Sequence, residues 1–316
     1  MAEKSWTIER LRDDLRGAPG KAATWAGSLA DFALPFSEAE RADAERIGTV
    51  VLPLGPYRNL TTMTAALFAF HPQAVVLNHA ADRVFGSRLD PFADLGPTRW
   101  RDFKALALRL AAHGRKSSYG GNVLLSHAFR AGPLAERYAA RFGATLRKPG
   151  ATTLFWKDSM RFQNRFEAGR PTVEALVAAK AELRFIYPVR NPLDCARSNI
   201  ATGHARHLVA KDRRRDFEAV LTRVLEALRW FRLRERATPE RFWSVTEAEL
   251  GPGFLERFAA FARLPAEPGW LADGPHAIEV LPKSEHKPGR RDLAARLVAG
   301  IFADDPAMRE RLERFL

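Results

Sequence analysis

The amino-acid sequence predicts an α/β fold, with a parallel central sheet, helices on both of its faces and an N-terminal helical extension. From residue 49 onward, short apolar runs alternate with amphipathic helical patterns, an order that requires crossover connections and therefore a parallel sheet. The apolar runs are nearly continuous, as expected for strands buried on both faces. We therefore expect residues 1–48 to form the extension and residues 49–316 to form a single domain.

The elements follow in that order along the chain. Residues 1–47 have helical patterns, and Ser37 followed by Glu40 is typical of a capping box. Strands are predicted at TVVLPL, AVVLNH, NVLLSH, TTLFW, ELRFIYPV and RFWSV. Helices are predicted between them, beginning with TTMTAALFAFH and TRWRDFKALALRLAAHG. Because ligands of parallel sheets bind beyond the carboxyl ends of the strands, we expect a site in the loops that follow them.

Composition limits the class of protein. One cysteine in 316 residues excludes a disulfide framework. The N-terminus lacks the apolar core of a signal peptide, and no run is long enough to span a bilayer, so we expect a cytoplasmic protein. The many Arg and Ala residues are typical of GC-rich bacterial genomes. No Cys, His or carboxylate cluster has the spacing of metal ligands, so no metal is expected.

The net charge of +13 indicates an anionic partner without identifying it. Nucleic acid, an anionic membrane surface and a polyanionic small molecule all fit this charge. Arg-rich helices that are simply well solvated fit it equally well.

The first loop of chemical interest is LPLGPYRNLTTMTAAL, which leads from a strand into a helix. Free N–H groups and the dipole at a helix N-terminus favour an anion. Arg58 adds a full charge, and Thr61 and Thr62 add hydroxyl donors. The G-x-x-x-x-G-K-[ST] pattern is absent, which disfavours ordinary ATP or GTP binding. The alternative is a routine helix with a threonine cap and Arg58 in solvent.

The second loop is RFIYPVRNPLDCARSN. Asn191 as a cap, Pro192 in the first turn and Asp194 near the N-terminus together predict a helix. Capping leaves Arg190, at the strand tip, and Ser198, eight residues later, without an explanation. These two side chains could converge on one anion.

The two loops together resemble the sulfotransferase family that uses 3′-phosphoadenosine 5′-phosphosulfate (PAPS), which has a P-loop-like fold. In that family, a Lys or Arg followed by Ser-Gly-Thr-Thr holds the 5′-phosphosulfate. An Arg-(Asp/Asn)-Pro-x-Asp element, with a Ser eight residues after the Arg, grips the 3′-phosphate. The corresponding residues here are Arg58-Asn59-Leu60-Thr61-Thr62 and Arg190-Asn191-Pro192-Leu193-Asp194 with Ser198. The resemblance covers about residues 49–291, and it implies further nucleotide contacts from Lys287, Arg290 and Arg291.

Leu60 departs from the family pattern, which has Gly at this position. If the position requires a positive φ, a leucine there costs roughly 1–2 kcal/mol. Either the loop adopts another conformation or its grip on phosphate is weaker.

The resemblance implies in-line transfer of a sulfuryl group from PAPS to a hydroxyl or amine acceptor. Such a reaction depends on positioning and charge stabilisation, and the resemblance assigns these roles to Arg58 and Lys157. The general base is expected at a strand end, where His79 is favoured over His127, and either histidine could instead be a structural residue bonded to backbone. Ser159 stands about where some relatives have their histidine.

Two alternatives remain at this point. One is a non-catalytic nucleotide- or anion-binding protein with the same fold, which Leu60 favours. The other is a basic nucleic-acid-binding protein, which is disfavoured because aromatic residues are not interleaved with the basic runs. We expect a small-molecule, glycan or lipid acceptor and no nucleic acid, and the oligomeric state is open.

Overall fold

A computed structural model describes residues 31–112, 121, 123–129, 134–143, 145, 147–169, 171–278 and 285–316. The helical predictions for residues 1–30 lie outside these residues. The described chain contains a five-stranded, all-parallel sheet with the strand order β2-β3-β1-β4-β5. Its strands are β1 (Thr49–Pro53), β2 (Ala74–Asn78), β3 (Thr153–Lys157), β4 (Leu183–Val189) and β5 (Phe242–Thr246). The predicted α/β class is therefore confirmed.

Helices connect and flank the strands, in an order close to the predicted one. They are α1 (Glu38–Arg46), α2 (Thr61–Phe70), α3 (Ala81–Val84), α4 (Pro97–Ala112), α5 (Leu134–Phe142), α6 (Ser159–Glu167), α7 (Val173–Ala179), α8 (Pro192–Ala201), α9 (Phe217–Ala237), α10 (Phe254–Ala262), α11 (Pro268–Ala277), α12 (Pro288–Ile301) and α13 (Pro306–Glu313). Short 3₁₀ turns lie at Val123–Leu125, His127–Phe129, His204–His207, Lys211–Arg213 and Glu247–Glu249. Within the described residues, none of the helices is long and apolar enough to cross a bilayer.

The hydrophobic core has one layer on each face of the sheet. Successive strand residues alternate between the layers, since Val50 and Leu52 belong to one and Val51 to the other. The first layer packs against α4, α6, α8, α9 and α12, and the second against α2, α10 and α11. Every strand position except Trp243 is buried, which is why the strands appear in the sequence as continuous apolar runs.

The capping box predicted at the start of α1 is present. The Glu40 backbone N–H donates to the Ser37 hydroxyl at 3.2 Å, and the Ser37 N–H donates to the Glu40 carboxylate at 2.9 Å. Arg109 of α4 donates to the same carboxylate at 2.7 Å, and this hydrogen bond helps to lower the pKa of Glu40 to about 2. These bonds attach α1 to the helix that covers one face of the sheet.

One predicted strand is wrong. The run NVLLSH does not join the sheet, and its described residues form the 3₁₀ turns Val123–Leu125 and His127–Phe129. A short apolar run fits a buried turn as well as a buried strand, because neither needs a visible periodicity. His127 therefore does not stand at a strand end, and its side chain lies outside the described part of the chain.

The parallel strands place four loops at the carboxyl end of the sheet. The chain leaves β1 for β2 on one side, and later crosses to β4 on the other side of β1. Such a reversal leaves a crevice at the carboxyl ends of the strands. The residues that follow β1, β2, β3 and β4 meet there.

Candidate anion-binding site

The loop after β1 turns sharply at Gly55, whose φ is +98°. A Cβ at this position would lie 2.6 Å from Cζ of Tyr187, so only glycine fits against the ring. The Gly55 N–H donates to the side-chain oxygen of Gln163 at 3.2 Å. The loop is therefore held close to the sheet before it reaches Arg58.

Arg58 and Leu60 both adopt left-handed backbone conformations, with φ of +64° and +58°. Leu60 is the N-cap residue of α2, and no side chain of the described residues caps this helix end. The position that is glycine in the resembling family does have a positive φ here, which costs Leu60 about 1–2 kcal/mol. A strained loop thus leads into an uncapped helix N-terminus, the arrangement that suits an anion.

The second loop has the conformation that its sequence predicts. β4 ends at Val189, and the Asn191 side-chain oxygen accepts a hydrogen bond from the Leu193 N–H at 2.9 Å. Pro192 occupies the first turn of α8. Arg190 is half-buried between strand and helix, and its guanidinium makes no hydrogen bond or ion pair within the described chain. The N–H groups of the Arg190 guanidinium are therefore available to bind an anion.

The two loops are bonded directly to each other. The Arg58 Nε–H donates to the Ser198 hydroxyl at 3.0 Å, and the Arg190 backbone N–H donates to the Asn59 side-chain oxygen at 2.8 Å. The Asn199 amide adds a hydrogen bond to the Tyr57 carbonyl at 2.7 Å. Residues that are 131 to 142 positions apart in the sequence therefore form one surface.

Lys157 is the last residue of β3 and is only 8% exposed. Its ammonium donates to the Asn78 side-chain oxygen at 3.3 Å. Burial lowers the pKa of Lys157 to about 8; Asp158 opposes this shift, and Arg58 adds to it. Near neutral pH the amine is still mostly protonated, but the free-energy cost of removing its proton is small.

These loops enclose a cleft of about 300 Å³. Its walls come from the loops after β1, β2 and β3 and from the segment that follows α8. The lining residues are Tyr57, Arg58, Thr61, Thr62, His79, Ala80, Asp82, Lys157, Asp158, Arg161, His204, Arg206 and His207. Five of the predicted residues thus meet in one cleft, namely Arg58, Thr61, Thr62, His79 and Lys157. In the described part of the chain, no group of three or more metal-ligating side chains is placed to hold a metal ion.

Seven of the predicted contacts are not among the residues that line the cleft, namely Asn59, Leu60, Arg190, Ser198, Lys287, Arg290 and Arg291. Lys287, Arg290 and Arg291 are exposed at the start of α12, where the Arg290 guanidinium lies 4.5 Å above the Phe217 ring. The preceding residue, His286, is buried and contacts the Asp194 carboxylate at 3.1 Å. This contact docks the basic start of α12 on α8.

Sequence reasoning missed the aromatic and basic wall of the cleft. Tyr57 packs against His204 and His207, with ring centroids 5.1 and 5.5 Å apart. Burial, followed by the positive charge of Arg206, lowers the pKa of His207 to about 4, so its imidazole is neutral. Burial together with Asp158 raises the pKa of Tyr57 to about 12. Only tertiary contacts bring these side chains together.

Asp158 was also missed, although its position gave a signal. It directly follows Lys157 at a strand end, where the ligand-binding side chains of parallel sheets stand. It lines the cleft and is 2% exposed.

A scan against protein-family models and a search of curated proteins both found no match. Among solved structures, the chain is similar to the crystal structure of the sulfotransferase STF9 from Mycobacterium avium. The two share 17% sequence identity over 92% of this chain and 87% of that chain, with a TM-score of 0.44. The function must therefore follow from the chemistry of the cleft itself.

Proposed function

We propose that the protein is a sulfotransferase that moves a sulfuryl group from PAPS to a hydroxyl or amine acceptor. The observation that carries the proposal is the 3.0 Å hydrogen bond between Arg58 and Ser198. It joins the two loops that resemble the phosphosulfate and 3′-phosphate elements of this family. Two basic loops joined in this way are suited to a ligand that carries a phosphate group at each end.

The nucleotide would lie along the joined loops. Arg58, Thr61 and Thr62 are suited to the 5′-phosphosulfate because they combine a cation, hydroxyl donors and the N-terminus of α2. Arg190 and Ser198 are suited to the 3′-phosphate. In this proposal Asn59 holds the two elements together through the Arg190 N–H, and Leu60 sets the direction of α2. The exposed cations Lys287, Arg290 and Arg291 supply further contacts.

The reaction requires a proton acceptor and charge stabilisation at the transferring group. PAPS supplies the sulfuryl group and leaves as 3′-phosphoadenosine 5′-phosphate. Arg58 and Lys157 stabilise the charge that builds up on the bridging oxygen, since cations that are already held in place need no reorganisation when the charge develops. His79 lines the same cleft and takes the acceptor proton. We expect the acceptor to be a small molecule, a glycan or a lipid.

One observation favours a second candidate function. The left-handed conformation of Leu60, at φ of +58°, strains the loop that would hold the phosphosulfate. A protein that binds the nucleotide and has lost transfer would keep the Arg190 element and tolerate this strain.

Transfer of labelled sulfate from PAPS to a panel of phenol, alcohol and amine acceptors separates the two candidates. The sulfotransferase proposal predicts turnover that falls by about 10²–10³-fold in Arg58→Ala, the loss typical of a charge-stabilising group. Arg309→Ala is the matched control, because Arg309 lies in α13 and pairs with Glu313 at 2.7 Å. Absence of transfer to every acceptor, with the nucleotide still bound, would favour the second candidate.

A further inference from the structure

His79 follows β2 with a backbone that is held on both sides. Its φ is +71°, a left-handed conformation that a non-glycine residue keeps only when its surroundings impose it. The His79 N–H donates to the Lys157 carbonyl at 3.0 Å, and the His79 carbonyl accepts from the Trp156 indole at 2.5 Å. The fold therefore maintains a strained backbone that directs one imidazole into the cleft.

The carboxylate of Asp158 lies beside this imidazole, and its two oxygens have different surroundings. Oδ2 accepts a hydrogen bond from the Ala81 N–H at 2.9 Å and so caps the short helix α3. Oδ1 is buried and has no hydrogen-bond partner within the described chain. It lies 3.9 Å from Nδ1 of His79. A buried carboxylate oxygen without a hydrogen bond costs free energy, and the nearby imidazole is the group that can relieve the cost.

The other neighbour of Oδ1 is already engaged. Arg161 Nε lies 3.6 Å from Oδ1 but donates to the Tyr57 hydroxyl at 3.3 Å, and its guanidinium forms an ion pair with Asp82. The His79 side chain is 36% exposed, so rotation of its ring can close the remaining gap to hydrogen-bond distance.

We propose that Asp158 is the positioning residue for His79, holding the imidazole with its proton on Nδ1 and the lone pair of Nε2 directed at the acceptor. The inference rests on the proposed function. A carboxylate at one ring nitrogen selects the tautomer in which the other nitrogen is the base. The same carboxylate stabilises the imidazolium that forms when the base takes a proton.

Nε2 of His79 takes the proton of the acceptor hydroxyl as the acceptor oxygen forms its bond to sulfur. The bond between sulfur and the bridging oxygen breaks, and its electron pair leaves with 3′-phosphoadenosine 5′-phosphate. Asp158 stays ionised throughout and faces the imidazolium.

The tautomer of His79 tests this inference without any turnover. In protein labelled with ¹⁵N-histidine, NMR reports which ring nitrogen carries the proton, and the spectrum of His79→Ala assigns the signal. We expect the Nδ1–H form in the wild type. In Asp158→Asn the amide oxygen still accepts from Ala81 and the amide N–H₂ faces Nδ1, so we expect the Nε2–H form.

An Nε2–H tautomer in the wild type would overturn the inference, as would the same tautomer in both proteins. The wild-type result stands even if Asp158→Asn does not fold. The matched control is Asp90→Asn, since Asp90 is also buried and accepts from the Gly86 and Phe92 N–H groups at 2.8 and 3.0 Å. This variant should leave the His79 signal in place.

A double-mutant cycle gives the second readout. If Asp158 acts through His79, Asp158→Asn lowers kcat by about 10²-fold or more in the wild type and has little further effect in His79→Ala. Independent, additive losses would contradict a positioning role. If the wild type transfers no sulfuryl group, the proposed function fails, and the tautomer alone decides the inference.

Discussion

The loops after β1 and β4 both place an arginine at the carboxyl end of a strand, yet they do so by different physical means. The second loop is a regular helix start with an asparagine cap and a proline in the first turn. The first has positive φ at Gly55, Arg58 and Leu60, and its helix lacks a side-chain cap among the described residues. The strained loop and the relaxed loop build a single surface because they are hydrogen-bonded to each other.

In the strained loop, substitution of Gly55 should reduce stability most. Gly55→Ala should lower the free energy of unfolding by about 3 kcal/mol, because the new Cβ meets the buried Tyr187 ring and the left-handed φ disfavours alanine. Urea denaturation measures this loss. Gly203→Ala is the control, since Gly203 also has a positive φ but open space around its Cβ position. Equal losses in both variants would show that contact with Tyr187 contributes nothing.

A buried cation at the end of β3, the strand next to β1, also lowers the free energy of unfolding. Lys157 has a pKa of about 8 when folded and 10.5 when unfolded, so the unfolded chain binds more protons between these pH values. Stability should therefore rise as pH increases from about 8 to 10.5. Lys157→Met should remove about 3 kcal/mol of this rise in the free energy of unfolding. Identical pH dependence in wild type and variant would contradict a lowered pKa.

The smallest effects on stability are expected at Leu60 in the first loop and at Asn191 in the second. Leu60→Gly should raise the free energy of unfolding by about 1 kcal/mol, because glycine adopts the left-handed conformation without strain. Asn191→Ala should lower it by about 1 kcal/mol, because the Leu193 N–H loses its cap. Thermal unfolding of both variants measures the two changes. If Leu60→Gly is destabilising, the first loop is not strained at this residue.

Regular helix starts and buried strands could be predicted from sequence, whereas the left-handed backbones of Arg58 and His79 could not. Asn191, Pro192 and the buried strands follow rules that act over a few residues, so their positions were predicted correctly. The 3₁₀ turns around His127 were predicted as a strand because a short apolar run does not distinguish the two.

The site was predictable only where it depends on local sequence. Arg58, His79 and Lys157 stand at strand ends or in the loops that follow them, and these meet at the carboxyl end of any parallel sheet. Tyr57, His204 and His207 line the same cleft through ring contacts that span about 150 residues of chain. Oδ1 of Asp158 has no hydrogen-bond partner within the described chain, because the Ala81 N–H donates to Oδ2 and Arg161 donates to the Tyr57 hydroxyl. Which carboxylate oxygen has no hydrogen-bond partner is decided by tertiary contacts and cannot be read from the sequence.

We propose that the two loops form one nucleotide site, with Arg190 on the 3′-phosphate. Calorimetry with 3′-phosphoadenosine 5′-phosphate and with adenosine 5′-phosphate tests it most directly. A charge-assisted contact from Arg190 predicts at least about tenfold tighter binding of the 3′-phosphorylated nucleotide. Arg190→Ala should abolish this preference, whereas Arg309→Ala should retain it. Equal affinity of the wild type for both nucleotides would contradict the claim.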